Sequence, residues 1–243
     1  MNGKVTWLDE VDSTNEELKR RLKAGNQLNN FDVITARYQK NGRGQRENFW
    51  ESQHGMNLTF SMYFQPDGIG VQDAFFLNQV ISVLIVDFLG SVGVNNALIK
   101  WPNDILVDEK KICGVLIENT VFKNEIVESI IGIGLNVNQQ EFFLNPRSTS
   151  IVNETNEINV VELLLDDFLQ YLTKSHYFLG RKTLVTDKYM RRFFGLHQNR
   201  KFLVRGESFI GKISGVDSLG RLKILVNGTY HFFQQQEVKF SFD

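Results

Sequence analysis

Residues 112–137 read ICGVLIENTVFKNEIVESIIGIGLNV, and their pattern decides the fold. Two β-prone runs, 112–122 and 126–137, flank Lys123-Asn124-Glu125, a polar connection short enough to make them an antiparallel pair. Just upstream, 97–100 and 105–107 read as two shorter strands, which makes a meander of four. Gly132 and Gly134 alternate with aliphatic residues, so one face of the last strand is bare and another backbone or a flat ligand has room to approach it. Asn136 stands at the end of that face.

Toward the N-terminus, Met56, Leu58, Phe60, Met62 and Phe64 alternate with Asn57, Thr59, Ser61 and Tyr63, the period of a strand with one buried face, and Pro66-Asp67-Gly68 ends it. Residues 31–36 read as a short strand. Ser13 and Glu16 have capping-box spacing, repeated by Thr14 and Glu17, and predict a helix that presents Leu18 and Leu22 on one face and stops at Gly25. The apolar stretch 75–90 is interrupted by Asn78, Gln79, Ser82 and Asp87, is too short to span a bilayer, and predicts a buried amphipathic helix. Residues 160–179 and 183–194 have helical spacing. The fold expected is α+β, a mixed and largely antiparallel sheet with flanking helices. From 201 to 242, short β-prone pieces separated by Arg205-Gly206-Glu207, Asp217-Ser218-Leu219-Gly220 and Asn227-Gly228 predict a small β-barrel, with a boundary near 196–200. The expected domains are 1–196 and 197–243.

A chain of 243 residues, 42% hydrophobic and 23% charged, buries one sizeable core, which excludes a disordered or fibrous protein. With 27 Lys+Arg against 28 Asp+Glu, the net charge of −1 gives no global basic field for nucleic acid or membrane, so any polyanion site is local. The single cysteine, Cys113, excludes a disulfide framework, fits a reducing cytoplasm, and reads as a packing residue in an apolar strand. The four histidines are scattered and add no metal motif. The first ten residues lack the basic and apolar regions of a signal peptide, so the chain reads as unexported and cytoplasmic.

Four segments have the residue types for chemistry. Residues 37–50 concentrate Arg37, Lys40, Arg43 and Arg46 around Gly42 and Gly44, a turn suited to phosphate or carboxylate, although a solvated basic loop has the same composition. It is not a P-loop, since Gly-Lys-Ser/Thr is missing. In Lys100-Trp101-Pro102-Asn103-Asp104, the proline keeps Trp101 out of helix and presents an amide and a carboxylate suited to ribose, base or a Mg²⁺ shell; a simple turn would read the same way. Lys110 and Lys111 head a strand backed by Cys113 and Gly114, either as a hairpin tip or as a charge over a cleft. The glycine-lined strand ending at Asn136 is the fourth.

In order, Asp12-Ser13-Thr14-Asn15, the Gly42-Arg43-Gly44 loop ending in Trp50, Lys100 to Asp104, Lys111-x-x-Gly114-x-Leu116-x-Glu118 and Gly132-x-Gly134-x-Asn136-Val137-Asn138 resemble the biotin protein ligases, that is, biotin–[acetyl-CoA carboxylase] ligases. The resemblance covers about 5–194. It implies a class II synthetase-like catalytic domain followed by a small SH3-like β-barrel, and an ATP-dependent, AMP-forming enzyme. It places Ser13, Thr14 and Asn15 at the biotin ureido ring, and Gln39, Arg43, Gly44 and Gln45 in the loop over biotin and the adenylate phosphate. Lys111 falls beside the biotin carboxylate and, with Arg43, carries the catalytic charge. Arg46, Trp50, Asn103, Asp104, Lys111 and Asn136 face ATP, with Asp104 in a Mg²⁺ shell. Biotin, ATP and Mg²⁺ are the implied small molecules, and a biotin carboxyl carrier protein the implied partner. No operator DNA is expected as a partner, since the chain begins almost at the catalytic domain, and no membrane partner, since the net charge is −1 and the apolar stretch is short; monomer and homodimer are both open. Gln45 and Asn48 replace arginines of the commonest family loop, and Glu47 a glycine, which implies weaker retention of the adenylate. The alternatives are a lipoate or octanoate ligase or transferase, and a non-catalytic module binding a small molecule or nucleic acid.

Overall fold

The computed structural model describes residues 3–44, 49–174 and 180–242. Its main sheet has seven strands: β1 (Val5–Val11), β2 (Val33–Gln39), β3 (Leu58–Phe64), β4 (Leu98–Lys100), β5 (Asp104–Val107), β6 (Lys110–Phe122) and β7 (Glu125–Leu135), in the order β1-β2-β3-β7-β6-β5-β4. Only β1 and β2 run parallel; the other pairs are antiparallel. The meander β4 to β7 is thus present. Its long hairpin turns through Lys123 and Asn124, both at positive φ, the backbone that a two-residue connection between twisted strands demands. β7 ends earlier than its apolar pattern, because the Val137 N–H leaves the ladder to donate to Asn57 Oδ1.

Helices cover both faces of the sheet. α1 (Thr14–Lys23) buries Leu18 against Ile34, Tyr63 and Ile130. On the opposite face α2 (Ala74–Ser91) and α4 (Val161–Lys174) pack together, with Phe168 edge-on to both Phe60 and Phe88. α3 (Ile151–Thr155) and α5 (Lys182–Arg191) complete the layer.

Three sequence expectations change here. All of β3 is buried, not one face of it, because α1 lies over the polar face. With its preceding 3-10 turn, the α2 region runs Val71–Ser91, long and apolar enough by composition to cross a membrane, yet Phe76 through Val86 are buried without interruption inside the protein. It is therefore a core helix buried all round, not an amphipathic one. Ser13 sits at the N-cap of α1 in extended backbone, but its side chain makes no capping bond; the Thr14 N–H donates instead to Gln39 Oε1 at 2.8 Å. β1 and α3 were not signalled by the sequence pattern.

The C-terminal region forms a five-stranded antiparallel sheet from β8 (Asn199–Val204), β9 (Glu207–Val216), β10 (Leu222–Val226), β11 (Thr229–Phe233) and β12 (Lys239–Ser241), ordered β11-β10-β9-β8-β12. Its buried Phe202, Ile213, Leu222, Ile224 and Val238 join the same contiguous core as the main sheet. The Trp101 indole N–H donates to the Gly220 carbonyl at 2.8 Å and ties the two sheets beside the cleft described next.

Candidate active site

The glycines of β6 and β7 create the cleft. Gly114 pairs with Gly134, and Gly132 lies on the same face of β7 as Gly134, so the α1 side of the sheet is bare there. The space is used by neighbours: a Cβ on Gly132 would lie 2.2 Å from Asn15 Oδ1, and one on Gly134 2.5 Å from the Trp50 ring. Over this floor opens a cleft of about 640 Å³.

One end is a chain of uncharged hydrogen-bonding groups. Ser13, Thr14 and Asn15 are buried at the start of α1. The Ser61 hydroxyl lies 2.6 Å from Thr14 Oγ1 and 2.5 Å from Asn15 Oδ1, and Thr14 Oγ1 lies 3.2 Å from Gln39 Oε1. Asn15 Nδ2 donates to Glu118 at 2.9 Å; a carboxylate only accepts, which fixes the amide so that Oδ1 faces Ser61. Glu118 also takes Lys19 at 2.6 Å. Lys19 in turn reaches Glu16, which pairs with Arg43 at 3.0 Å.

The other end is cationic. Asp104 is gripped by Lys100 at 2.8 Å and Lys111 at 2.5 Å. Burial alone would raise its carboxyl, but Lys111 and then Lys100 outweigh that and hold it well below the usual carboxylate range. Lys111 Nζ also stands 5.4 Å from the Trp50 ring centre, and Lys100 Nζ lies 5.6 Å from that of Phe240 in β12. Asn103 is buried and donates to the Val115 carbonyl. Asn136 Nδ2 donates to the Thr149 carbonyl at 2.9 Å. Two buried polar atoms in the cleft wall find no protein partner among the described residues, the Trp50 indole N–H and Asn136 Oδ1, one donor and one acceptor left for a ligand.

Of the residues singled out from sequence, Ser13, Thr14, Asn15, Gln39, Arg43, Gly44, Trp50, Asn103, Asp104, Lys111 and Asn136 all line this one cleft. Gln45 and Arg46 lie outside the described residues. Cys113 is fully buried behind Gly114, where burial pushes its thiol far up, as befits a packing residue. Sequence reasoning missed Ser61 and Lys19, the Glu118 bond to Asn15, the pairing of Lys100, and the aromatic wall of Phe240 and Phe242. The alternation of β3 could have flagged Ser61, a small polar residue on the strand face that α1 covers. For the aromatic wall no local signal exists, since it returns from the C-terminal sheet.

No cluster of three or more His, Cys, Asp or Glu among the described residues is placed to hold a metal. Asp104, expected in a Mg²⁺ shell, has both oxygens bonded to lysine ammonium groups. These residues do not make a protein cage for Mg²⁺.

A sheet with a glycine-floored cleft, uncharged donors and acceptors at one end and paired lysines at the other, has the groups to receive a polar ring and an anion side by side. The comparisons agree with that class. The biotin/lipoate A/B protein ligase family matches residues 7–136. The bifunctional ligase/repressor BirA of Salmonella typhimurium is 35% identical over 136 residues, 56% of this chain and 41% of that protein. BirA of Bacillus spizizenii is 30% identical over 234 residues, 91% of this chain and 69% of that protein. A solved structure, the biotin protein ligase of Aquifex aeolicus in complex with biotin and ATP, superposes with a TM-score of 0.80 at 26% identity over 98% of both chains. The chain belongs to the biotin/lipoate A/B protein ligase family. Its match spans about two fifths of the Salmonella relative's length.

Proposed function

We propose that this protein activates biotin with ATP and transfers it to a lysine of a biotin carboxyl carrier protein. The observation that carries the reading is the two-ended cleft: Ser13, Thr14 and Asn15 offer hydroxyls and an amide to a cyclic urea, Lys111 and Lys100 await phosphate at the other end, and the exposed Arg43, paired with Glu16, lines the same cleft. The structures of relatives with biotin and ATP support it.

In the first step a biotin carboxylate oxygen attacks the α-phosphorus, the bond to the β-phosphate bridging oxygen breaks, and pyrophosphate leaves. Negative charge gathers on non-bridging oxygens, which Lys111 and Arg43 stabilise. ATP enters as its Mg²⁺ complex, so the metal arrives with the substrate. The buried Asn136 and Trp50 atoms supply hydrogen bonds to the nucleotide end, with Asn103 and Asp104 beside them; the family resemblance assigns Arg46 to the same end. In the second step a neutral lysine amine of the carrier attacks the acyl carbon, the anhydride C–O bond breaks, AMP leaves with the electron pair, and the nitrogen gives up one proton to solvent as the amide forms. The family resemblance puts Gln39, Gly44 and Gln45 in the loop over biotin, and of these Gln39 and Gly44 line the cleft.

Residues 1–196 act as the catalytic unit and 197–243 as a small appended β unit that adds Phe240 and Phe242 to the cleft wall. A cytoplasmic location accords with the free Cys113. Incubation with biotin, MgATP and an apo carrier domain, followed by mass measurement, tests the reading: the carrier gains one biotinyl group. Labelling with lipoate or octanoate in place of biotin would overturn the substrate, and no acylation at all would overturn the enzyme.

A further inference from the structure

We infer that Glu51 is a positioning residue, its carboxylate latching the segment that carries Trp50 to residues 143–145 on the far lip of the cleft. One oxygen accepts the Phe143 N–H at 2.9 Å, and the other accepts those of Leu144 at 2.8 Å and Asn145 at 3.2 Å. Three successive backbone donors converge on one carboxylate, a charge-assisted arrangement stronger than neutral pairing. Apolar burial does not hold that lip, since Phe143 is 75% and Leu144 65% exposed.

The latch joins two parts of the site. Upstream of Glu51, the Trp50 N–H donates to the Gly42 carbonyl at 2.8 Å and its indole lies on Gly134 and under Lys111. Downstream of Asn145, the Arg147 carbonyl accepts the Lys111 N–H at 2.8 Å and the Thr149 N–H donates to the Lys111 carbonyl at 2.9 Å. Glu51 therefore closes a ring of contacts that approaches Lys111 from its side chain through Trp50 and from its backbone through 147–149. Both carboxylate oxygens are committed to these amides, so Glu51 acts through Trp50 and Leu144 and not on a substrate.

This inference rests on the proposed biotin and ATP reading, and the test separates the two. Amide hydrogen exchange of 143–145 without ligand is expected to quicken about tenfold in Glu51→Ala, the scale of one charge-assisted hydrogen bond, and less in Glu51→Gln, which keeps one accepting oxygen. In biotin-dependent ATP–pyrophosphate exchange the KM for ATP and the loss rate of preformed adenylate should both rise about tenfold, with the KM for biotin unchanged. Unaltered exchange at 143–145 overturns the latch. Faster exchange with wild-type ATP KM and adenylate loss overturns its positioning role. A wild-type protein with no biotin-dependent exchange sinks the ligase reading and the positioning role with it, a failure visible before any variant is made.

Discussion

Adding one methyl group at Gly132 tests the geometry of the proposed biotin end. The Cβ of Gly132→Ala would stand 2.2 Å from Asn15 Oδ1, whereas carbon–oxygen contacts ordinarily begin near about 3.3 Å, so the amide must retreat by about 1 Å. It has nowhere easy to go, because Asn15 is buried and held by Ser61 at 2.5 Å and Glu118 at 2.9 Å. Overpacking of this kind costs about 1–3 kcal/mol, which in a chain of this size lowers Tm by about 2–4 °C for each kcal/mol. A displacement of about 1 Å in a substrate-positioning group costs about 100-fold in rate. We expect kcat/KM for biotin to fall about 100-fold in pyrophosphate exchange, with the KM for ATP unchanged. Gly90→Ala is the control: it lies in α2 with nothing within 4 Å of the new Cβ, and it should gain about 0.4–1 kcal/mol of stability with wild-type kinetics. Wild-type biotin kinetics in Gly132→Ala would refute the placement of Asn15 at the ring-binding end.

Lys111→Ala removes the ammonium between Asp104 and Trp50 and should slow adenylation by about 10²–10³-fold with the circular dichroism spectrum preserved; normal pyrophosphate exchange would strip Lys111 of its assigned role. Asp104 has a depressed folded pKa, so its ionic contribution is complete above the ordinary carboxylate value of about 3.9 and is lost only as pH falls through the lower folded value. Asp104→Asn should therefore cost about 3 kcal/mol in urea unfolding at pH 7 and the same at pH 5, and a cost that shrinks between those pH values contradicts the assignment. Trp101→Phe strands the Gly220 carbonyl and should cost about 1–2 kcal/mol in thermal unfolding; unchanged stability would mean that the bond does not tie the two sheets.

The hairpin of β6 and β7 was legible because turn chemistry and β-prone runs agree there, and α1 because Leu18, Leu22 and Gly25 punctuate it. What misled was environment. The alternation of β3 describes its two faces correctly as apolar and polar, but local pattern cannot say that a helix lies over the polar face and turns Thr59 and Ser61 into buried hydrogen-bonding residues. The same holds for the cap of α1: Ser13 and Glu16 have the right spacing, yet the Ser13 side chain makes no cap bond and the Glu16 carboxylate pairs with Lys19 and with Arg43 from the next loop. Lys100 and Phe240 are 140 residues apart in sequence, and only the return of β12 to the cleft unites them.

The cations that line the cleft differ in how firmly they are held, and that difference bears on the work each could do in the proposed reaction. Asp104, 17% exposed, binds two lysines and leaves a net charge of about +1 by simple count, fixed on β4, β5 and β6 before any ligand arrives. Such a charge needs little reorganisation when a phosphate enters, and a preorganised field is what stabilises charge developing in a transition state. Arg43 is 60% exposed and pairs with Glu16 near the surface, a contact worth about 0–1 kcal/mol, so exchanging Glu16 for a phosphate oxygen costs little. In the proposed reaction the fixed lysines therefore suit the chemical step, and the exchangeable arginine suits capture of the nucleotide.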